Sequence, residues 1–197
     1  MNYPNGKRSI NSSSSGNHGL QRSFSNRGMS LEDDINQTND YYLAQNICVI
    51  HKKPTPVQIV KVDYPKRSAA VIKEGYFKQA STTDYNGVYR GRYIDFEAKE
   101  TRNKSSFPLN NFHEHQIKHM KAVAEHDGIT FVIIRFRAHN QTFFLPAVKL
   151  FRSWDSQYSD GGRKSIPYKQ FVAEGIEIPS RYPALLDYAT VIEQLFF

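Results

Sequence analysis

A chain of 197 residues with 26 Lys and Arg against 19 Asp and Glu carries a net charge of +7, long enough for one domain with a substantial core and basic enough to favour a polyanionic partner, whether nucleic acid or an anionic membrane surface. Its apolar runs are only a few residues long, which excludes a membrane-spanning helix, and no leading segment has the apolar core of a secretory signal. The single Cys48 excludes an intrachain disulfide and a four-cysteine zinc module, implies a reducing, cytoplasmic setting, and leaves oxygen or histidine nitrogen to hold any metal.

Residues 1–28 are rich in Ser, Asn, Gly and Arg and carry Lys7, Arg8, Arg22 and Arg27 with no acid. Such a segment cannot bury enough apolar surface to offset its ordering entropy, so a disordered basic arm is expected there and a single domain over 29–197. Ser30 with Asp33 predicts a capping box, and Glu32, Asp33 and Asp34 suit the positive end of a helix. Leu31, Ile35 and Tyr42 share a helical face, which predicts a helix ending near Asn46 and then a short strand over 47–50. Residues 52–78 are interrupted by Pro54, Pro56 and Pro65, with strand-like stretches at 57–62 and 69–72. Seven basic residues there (Lys52, Lys53, Lys61, Lys66, Arg67, Lys73 and Lys78) face only Asp63 and Glu74, a local charge of +5. This composition predicts a protruding ribbon, inserted at about 54–78, and not a core element.

Residues 80–101 read as a hairpin and 110–126 as a helix that stops before Gly128. Strands are predicted over 129–137 and 142–145, joined at His139-Asn140-Gln141, then a helix over 147–154, a polar loop over 156–166 and a closing amphipathic helix over 183–196. A helix, strands, a helix and more strands predict an α/β domain with a mixed central sheet flanked by helices.

The chemistry concentrates on Tyr93-Ile94-Asp95-Phe96-Glu97-Ala98-Lys99. Side chains alternate along a strand, so Ile94, Phe96 and Ala98 share an apolar face, and Asp95, Glu97 and Lys99 share a charged one. A two-residue turn at Arg90-Gly91 would set Asp84 opposite Glu97 and Thr82 opposite Lys99, with directly paired Cβ atoms about 4.5–5.5 Å apart. Asn86-Gly87 is a competing turn signal. Two carboxylates that close repel unless a divalent cation lies between them, and oxygen-only ligands suit Mg²⁺ or Mn²⁺. Such a cation with an adjacent ammonium is what phosphodiester hydrolysis needs. The plainer alternative is an exposed strand with a solvated Glu-Lys pair. Gln116, on the next helix among Phe112, Met120 and Val123, is either a core amide bonded to backbone or a group that completes the metal shell, directly or through water.

Asp84 followed by Glu97-Ala98-Lys99 resembles the PD-(D/E)xK nuclease motif, with Thr83 where that motif has proline. More specifically, Ser81-Thr82-Thr83-Asp84-Tyr85, Gly91-Arg92-Tyr93-Ile94-Asp95-Phe96-Glu97-Ala98-Lys99-Glu100-Thr101 and His115-Gln116 resemble the RecU family of Holliday junction resolvases, from about Gly28 to the C-terminus. The resemblance implies a restriction-endonuclease-like fold with a basic stalk. It implies a homodimer that nicks two opposing strands of a four-way junction with Mg²⁺ or Mn²⁺. It places metal ligands at Thr82, Asp84, Glu97 and Gln116, the transition-state-stabilising lysine at Lys99 and a nearby catalytic acid at Glu32. Roles in recombination and repair at the nucleoid, and contact with the strand-exchange recombinase, are further implications. The ribbon then reads as the DNA device. Arg67, Lys66, Lys52 and Lys53 would neutralise phosphates without reading sequence, and Tyr76, Phe77 and Tyr64 would stack on bases unpaired at the branch.

Other readings compete. His115 and His119 have the spacing of a helical zinc pair, but the general-base Glu of H-E-x-x-H is replaced by Gln116. A basic junction-bridging protein without cutting activity would not need Lys99 beside two acids. A sequence-specific restriction-like endonuclease on the same fold would cut plain duplex.

Overall fold

In the computed structural model, which describes residues 30–64, 70–78 and 82–197, strands Tyr85–Tyr89 (β4) and Arg92–Thr101 (β5) form the hairpin that organises the sheet. Tyr89 faces Arg92 across Arg90 and Gly91, whose φ values of 48° and 78° mark the primed two-residue turn that matches right-handed strand twist. The Asn86-Gly87 signal is no turn. A Cβ on Gly87 would lie 2.0 Å from the Val49 carbonyl oxygen and 2.7 Å from Ile50 Cα, so glycine is what lets Val49–Lys52 (β1) pair antiparallel with β4. Gly87→Ala is expected to force β1 outward and to lower unfolding free energy by about 1–3 kcal/mol, the usual cost of overpacking. A urea midpoint unchanged from that of the parent chain would show that β1 yields freely.

β5 pairs in parallel with Ile129–Phe136 (β7), which pairs antiparallel with Gln141–Pro146 (β8), which in turn pairs with Ile176–Glu177 (β10). The sheet order is β1-β4-β5-β7-β8-β10, a mixed sheet of the expected class. Parallel neighbours need a long crossover. Here it comprises Ser106–Pro108 (β6), a 3-10 turn at Leu109–Asn111 and helix Glu114–Glu125 (α2). Leu31–Ala44 (α1) and Tyr188–Phe196 (α5) cover one face of the sheet, packing Leu31, Ile35, Tyr42, Tyr188 and Ile192 on Ile94, Phe96, Phe131 and Phe144. α2, Ala147–Ser156 (α3) and Tyr168–Glu174 (α4) cover the other, packing Ile117, Met120, Leu150 and Phe171 on Val132, Ile134 and Phe143. Tyr85, Phe96, Phe131 and Phe144 stack in sequence across β4, β5, β7 and β8 with centroids 4.8, 4.6 and 4.2 Å apart, each such pair contributing about 0.5–1.5 kcal/mol beyond its burial.

The Ser30–Asp33 capping box forms as expected. It sets α1 against β5: Leu31 N–H donates to Glu100 Oε1 at 2.5 Å, and Arg135 holds Asp34 at 2.5 Å. α1 ends at Ala44 and β1 starts at Val49, two residues from the respective sequence expectations, because Asn46 takes the left-handed conformation. α2 begins at Glu114, since 109–111 wind as a 3-10 turn, and α5 begins at Tyr188, where the Asp187 carboxylate accepts the Thr190 N–H. Ser165–Pro167 (β9), α4 and β10 were not legible, being too short for a hydrophobic period to register.

Val57–Asp63 (β2) and Val71–Phe77 (β3) pair only with each other among the described residues. Lys78 N–H donates to the Pro56 carbonyl at 2.9 Å and closes the base of this ribbon. Every residue of β3 is exposed. The arm expected over 1–28, and the expected DNA contacts Lys66 and Arg67, lie outside the described residues.

Candidate active site

On β5 the alternation places Ile94 and Phe96 in the core beneath α1 and α5, and Asp95, Glu97 and Lys99 toward α2. The charged face is not a solvated one, so the exposed-strand alternative is overturned. Asp95 and Glu97 are 0% exposed, while Lys99 reaches partly to the surface. The ladder between β4 and β5 ends at Tyr85 opposite Phe96, and the next residue, Asp84, turns its N–H onto Glu97 Oε2 at 3.1 Å. Its carbonyl accepts the Lys53 N–H at 2.7 Å. With both its main-chain groups taken this way, the chain leaves the ladder. Thr82 is therefore not opposite Lys99, as strict pairing predicts, but lies in the bend, with its hydroxyl donating to the Thr83 carbonyl at 3.4 Å.

Burial pushes the Glu97 carboxyl up, the adjacent Asp84 pushes it further, and Lys99 pulls it back, leaving it at about 8. The metal-free pair thus holds a proton at neutral pH. Lys99 Nζ forms an ion pair with Glu97 Oε1 at 2.5 Å and offsets part of the charge of that buried carboxylate. A buried carboxylate set between one ammonium and a second acid fits a hard divalent cation. No three of His, Cys, Asp and Glu converge among the described residues. Two carboxylates with amide, hydroxyl and water oxygens suit Mg²⁺, which retains several waters.

Gln116 is buried, and its Oε1 accepts the His113 N–H at 2.9 Å, completing the cap of α2. The backbone-bonded alternative is thus realised, with one lone pair still available. The His113 and His115 rings stack at 5.4 Å, and burial, then His113 and Lys99, depress the His115 pKa. His119 does not join His115. Its Nε2 lies 3.1 Å from Asp95 Oδ2, so the zinc-pair arrangement is not formed.

Lys53 departs from its expected part in DNA contact. It is turned inward, with Nζ 2.6 Å from Asp95 Oδ2 and 2.9 Å from Thr83 Oγ1. Lys52 is exposed and pairs with Glu32. Glu32 and Asp84 line one cleft of about 410 Å³ together with Ser30, Ala98, Glu100 and Arg102, a cleft that Glu97 and Lys99 do not line. Tyr76 and Phe77 are exposed on β3. Asp95 and Thr83 carry no role in the sequence reading, and His119 enters it only as half of the zinc pair. The signal for Asp95 was its two-residue spacing from Glu97.

The family model described as RecU, Recombination protein U, matches residues 26–194. The chain is similar to "Holliday junction resolvase RecU" of Oceanobacillus iheyensis, 58% identical over 201 residues and covering 100% of both chains. It is 59% identical to the protein of that name from Bacillus subtilis, over 100% of this chain and 96% of the relative. It is 62% identical to that of a Geobacillus species, over 90% of this chain and 88% of the relative. Among solved structures, Archaeoglobus fulgidus Hjc, a Holliday junction resolvase, aligns with a TM-score of 0.41 and 8% identity over 73% of this chain and 94% of that one.

Proposed function

The chain belongs to the RecU family, and from that premise we propose that it is a Holliday junction resolvase, an endonuclease that cuts four-way DNA junctions, with Asp84, Glu97 and Lys99 as its hydrolytic centre. The observation that carries the chemistry is Glu97, a fully buried carboxylate with an acid at one side and an ammonium 2.5 Å away at the other. Asp84 and Glu97 would hold Mg²⁺ or Mn²⁺, with Thr82 and the Gln116 amide oxygen completing the set directly or through water. When bound, such a cation lowers the pKa of a water and offsets phosphate charge. Lys99 orients the attacking water and stabilises the charge that develops on phosphorus. Glu32 stands by as a further acid across the cleft.

The ribbon supplies shape selectivity. Lys52, Lys66 and Arg67 neutralise phosphates, and the exposed Tyr76 and Phe77 stack on bases freed at the branch. In a homodimer, two ribbons would meet a symmetric junction and two centres would nick opposing strands. Recombination and repair at the nucleoid in the cytoplasm, with the strand-exchange recombinase as a further partner, is the setting we assign. No described helix is long and apolar enough to cross a membrane.

The reading is tested with duplex, flap and four-way DNA in Mg²⁺ or EDTA. Cutting of the junction in Mg²⁺, with binding retained in EDTA, is expected. Cutting of plain duplex at one sequence would support a restriction-like enzyme, and binding without cutting would support a junction-bridging protein. Deleting 57–76 is expected to leave the thermal midpoint within a few degrees, because β2 and β3 pair only with each other among the described residues. It should also erase the preference for junction over duplex in gel-shift titrations. Retained preference would remove the ribbon from recognition.

A further inference from the structure

Asp95 has no part in the chemistry above, yet it is the most heavily engaged carboxylate near the site. It is fully buried. Oδ2 accepts Lys53 Nζ at 2.6 Å and the Tyr93 hydroxyl at 3.1 Å, and lies 3.1 Å from His119 Nε2 on α2. Oδ1 accepts the Thr83 hydroxyl, which itself accepts Lys53 Nζ at 2.9 Å. Burying an ion pair costs several kcal/mol in desolvation, and an apolar cluster of similar volume is often as stable or more so. A stability role alone does not call for these groups.

Both partners that close this triangle lead to Asp84. Thr83 is its chain neighbour, and Lys53 donates its main-chain N–H to the Asp84 carbonyl at 2.7 Å. Asp84 lies beyond the end of the β4–β5 ladder, and the bend hangs from Lys53 at two points, a main-chain bond that continues the β1–β4 register and the ammonium on Thr83. We propose that Asp95 is a positioning residue: through Lys53 and Thr83 it holds the 82–84 bend so that Asp84 stands beside Glu97 as a preorganised cation-binding pair. This rests on the metal-dependent reading above. It also accounts for a lysine at the foot of a basic ribbon pointing inward.

The test is titration calorimetry of the full chain with Mn²⁺ alone, without DNA, alongside thermal melts. Asp95→Asn strips Lys53 of its counter-charge and is expected to weaken Mn²⁺ binding about 10–100-fold, the usual effect of losing a partner that orients a metal ligand. Thr83→Val, nearly isosteric and without charge change, is expected to weaken it by a smaller factor in a chain that melts like the parent. Because both act through one bend, the double variant should bind no more weakly than Asp95→Asn alone. Parent-like Mn²⁺ affinity in folded Asp95→Asn and Thr83→Val overturns the proposal. Should Asp95→Asn fail to fold, Thr83→Val decides by the same criterion. Absence of Mn²⁺ binding by the parent chain would instead sink the metal-dependent reading itself.

Discussion

Lys99→Ala is expected to lower single-turnover junction cleavage about 10²–10³-fold, the range for removing one preorganised group that stabilises transition-state charge, while junction binding in EDTA stays within about threefold. Lys99 sits on β5, 2.5 Å from a buried carboxylate and away from the ribbon, so its loss should not touch the phosphate contacts that set affinity. Its removal has a second consequence. Lys99 draws the Glu97 pKa down, opposing burial and Asp84, so residual activity in Lys99→Ala should need higher pH than the parent. Lys99→Arg is not a conservative change here. A planar fork cannot occupy the place of a compact ammonium against Glu97, and at most partial rescue is expected. A Lys99→Ala chain that cleaves at the parent rate in single-turnover assays would remove Lys99 from the chemistry.

Glu97→Gln should abolish Mn²⁺ binding and at the same time make the metal-free fold more tolerant of alkali. In the folded chain the Glu97 carboxyl stands at about 8 against an ordinary 4.5. The fold thus prefers the protonated form. Stability linked to that proton is fully present below about pH 4.5 and is lost as pH rises through about 8. A shift of this size corresponds to roughly 2–5 kcal/mol. Glutamine has no such proton to lose. The melting midpoint of Glu97→Gln minus that of the parent, both in EDTA, should therefore grow from pH 5 to pH 9. In the parent, Mn²⁺ must displace the proton, so its affinity should rise about tenfold per pH unit below pH 8 and level off above it. Midpoint differences that stay flat with pH would mean that Glu97 is ionised in the metal-free chain.

Much of this site was legible because its determinants are local. The Arg90-Gly91 turn, once chosen, carries the β4–β5 register by counting residues as far as Tyr85 and Phe96, the neighbours of Asp84 and Glu97, and period-two alternation puts Glu97 and Lys99 on one face. The Ser30 cap is likewise a matter of four consecutive residues. Short elements failed for the converse reason, since two or three residues of β9 or β10 have no period to read.

By itself, the amino-acid sequence determined the strand bearing the acids and lysine, the hairpin that brings Asp84 beside them, the α/β class, the basic ribbon and the family. Only the tertiary structure decided that the charged face of β5 is buried, that Gly87 serves β1 rather than a turn, and that Lys53 answers Asp95 rather than solvent. The physical reason is range. Alternation and turn dihedrals follow from neighbours in the chain, whereas burial of Asp95 requires α2 to supply His119 and the segment after β1 to supply Lys53. A lysine 42 residues from its counter-ion leaves no trace in local pattern.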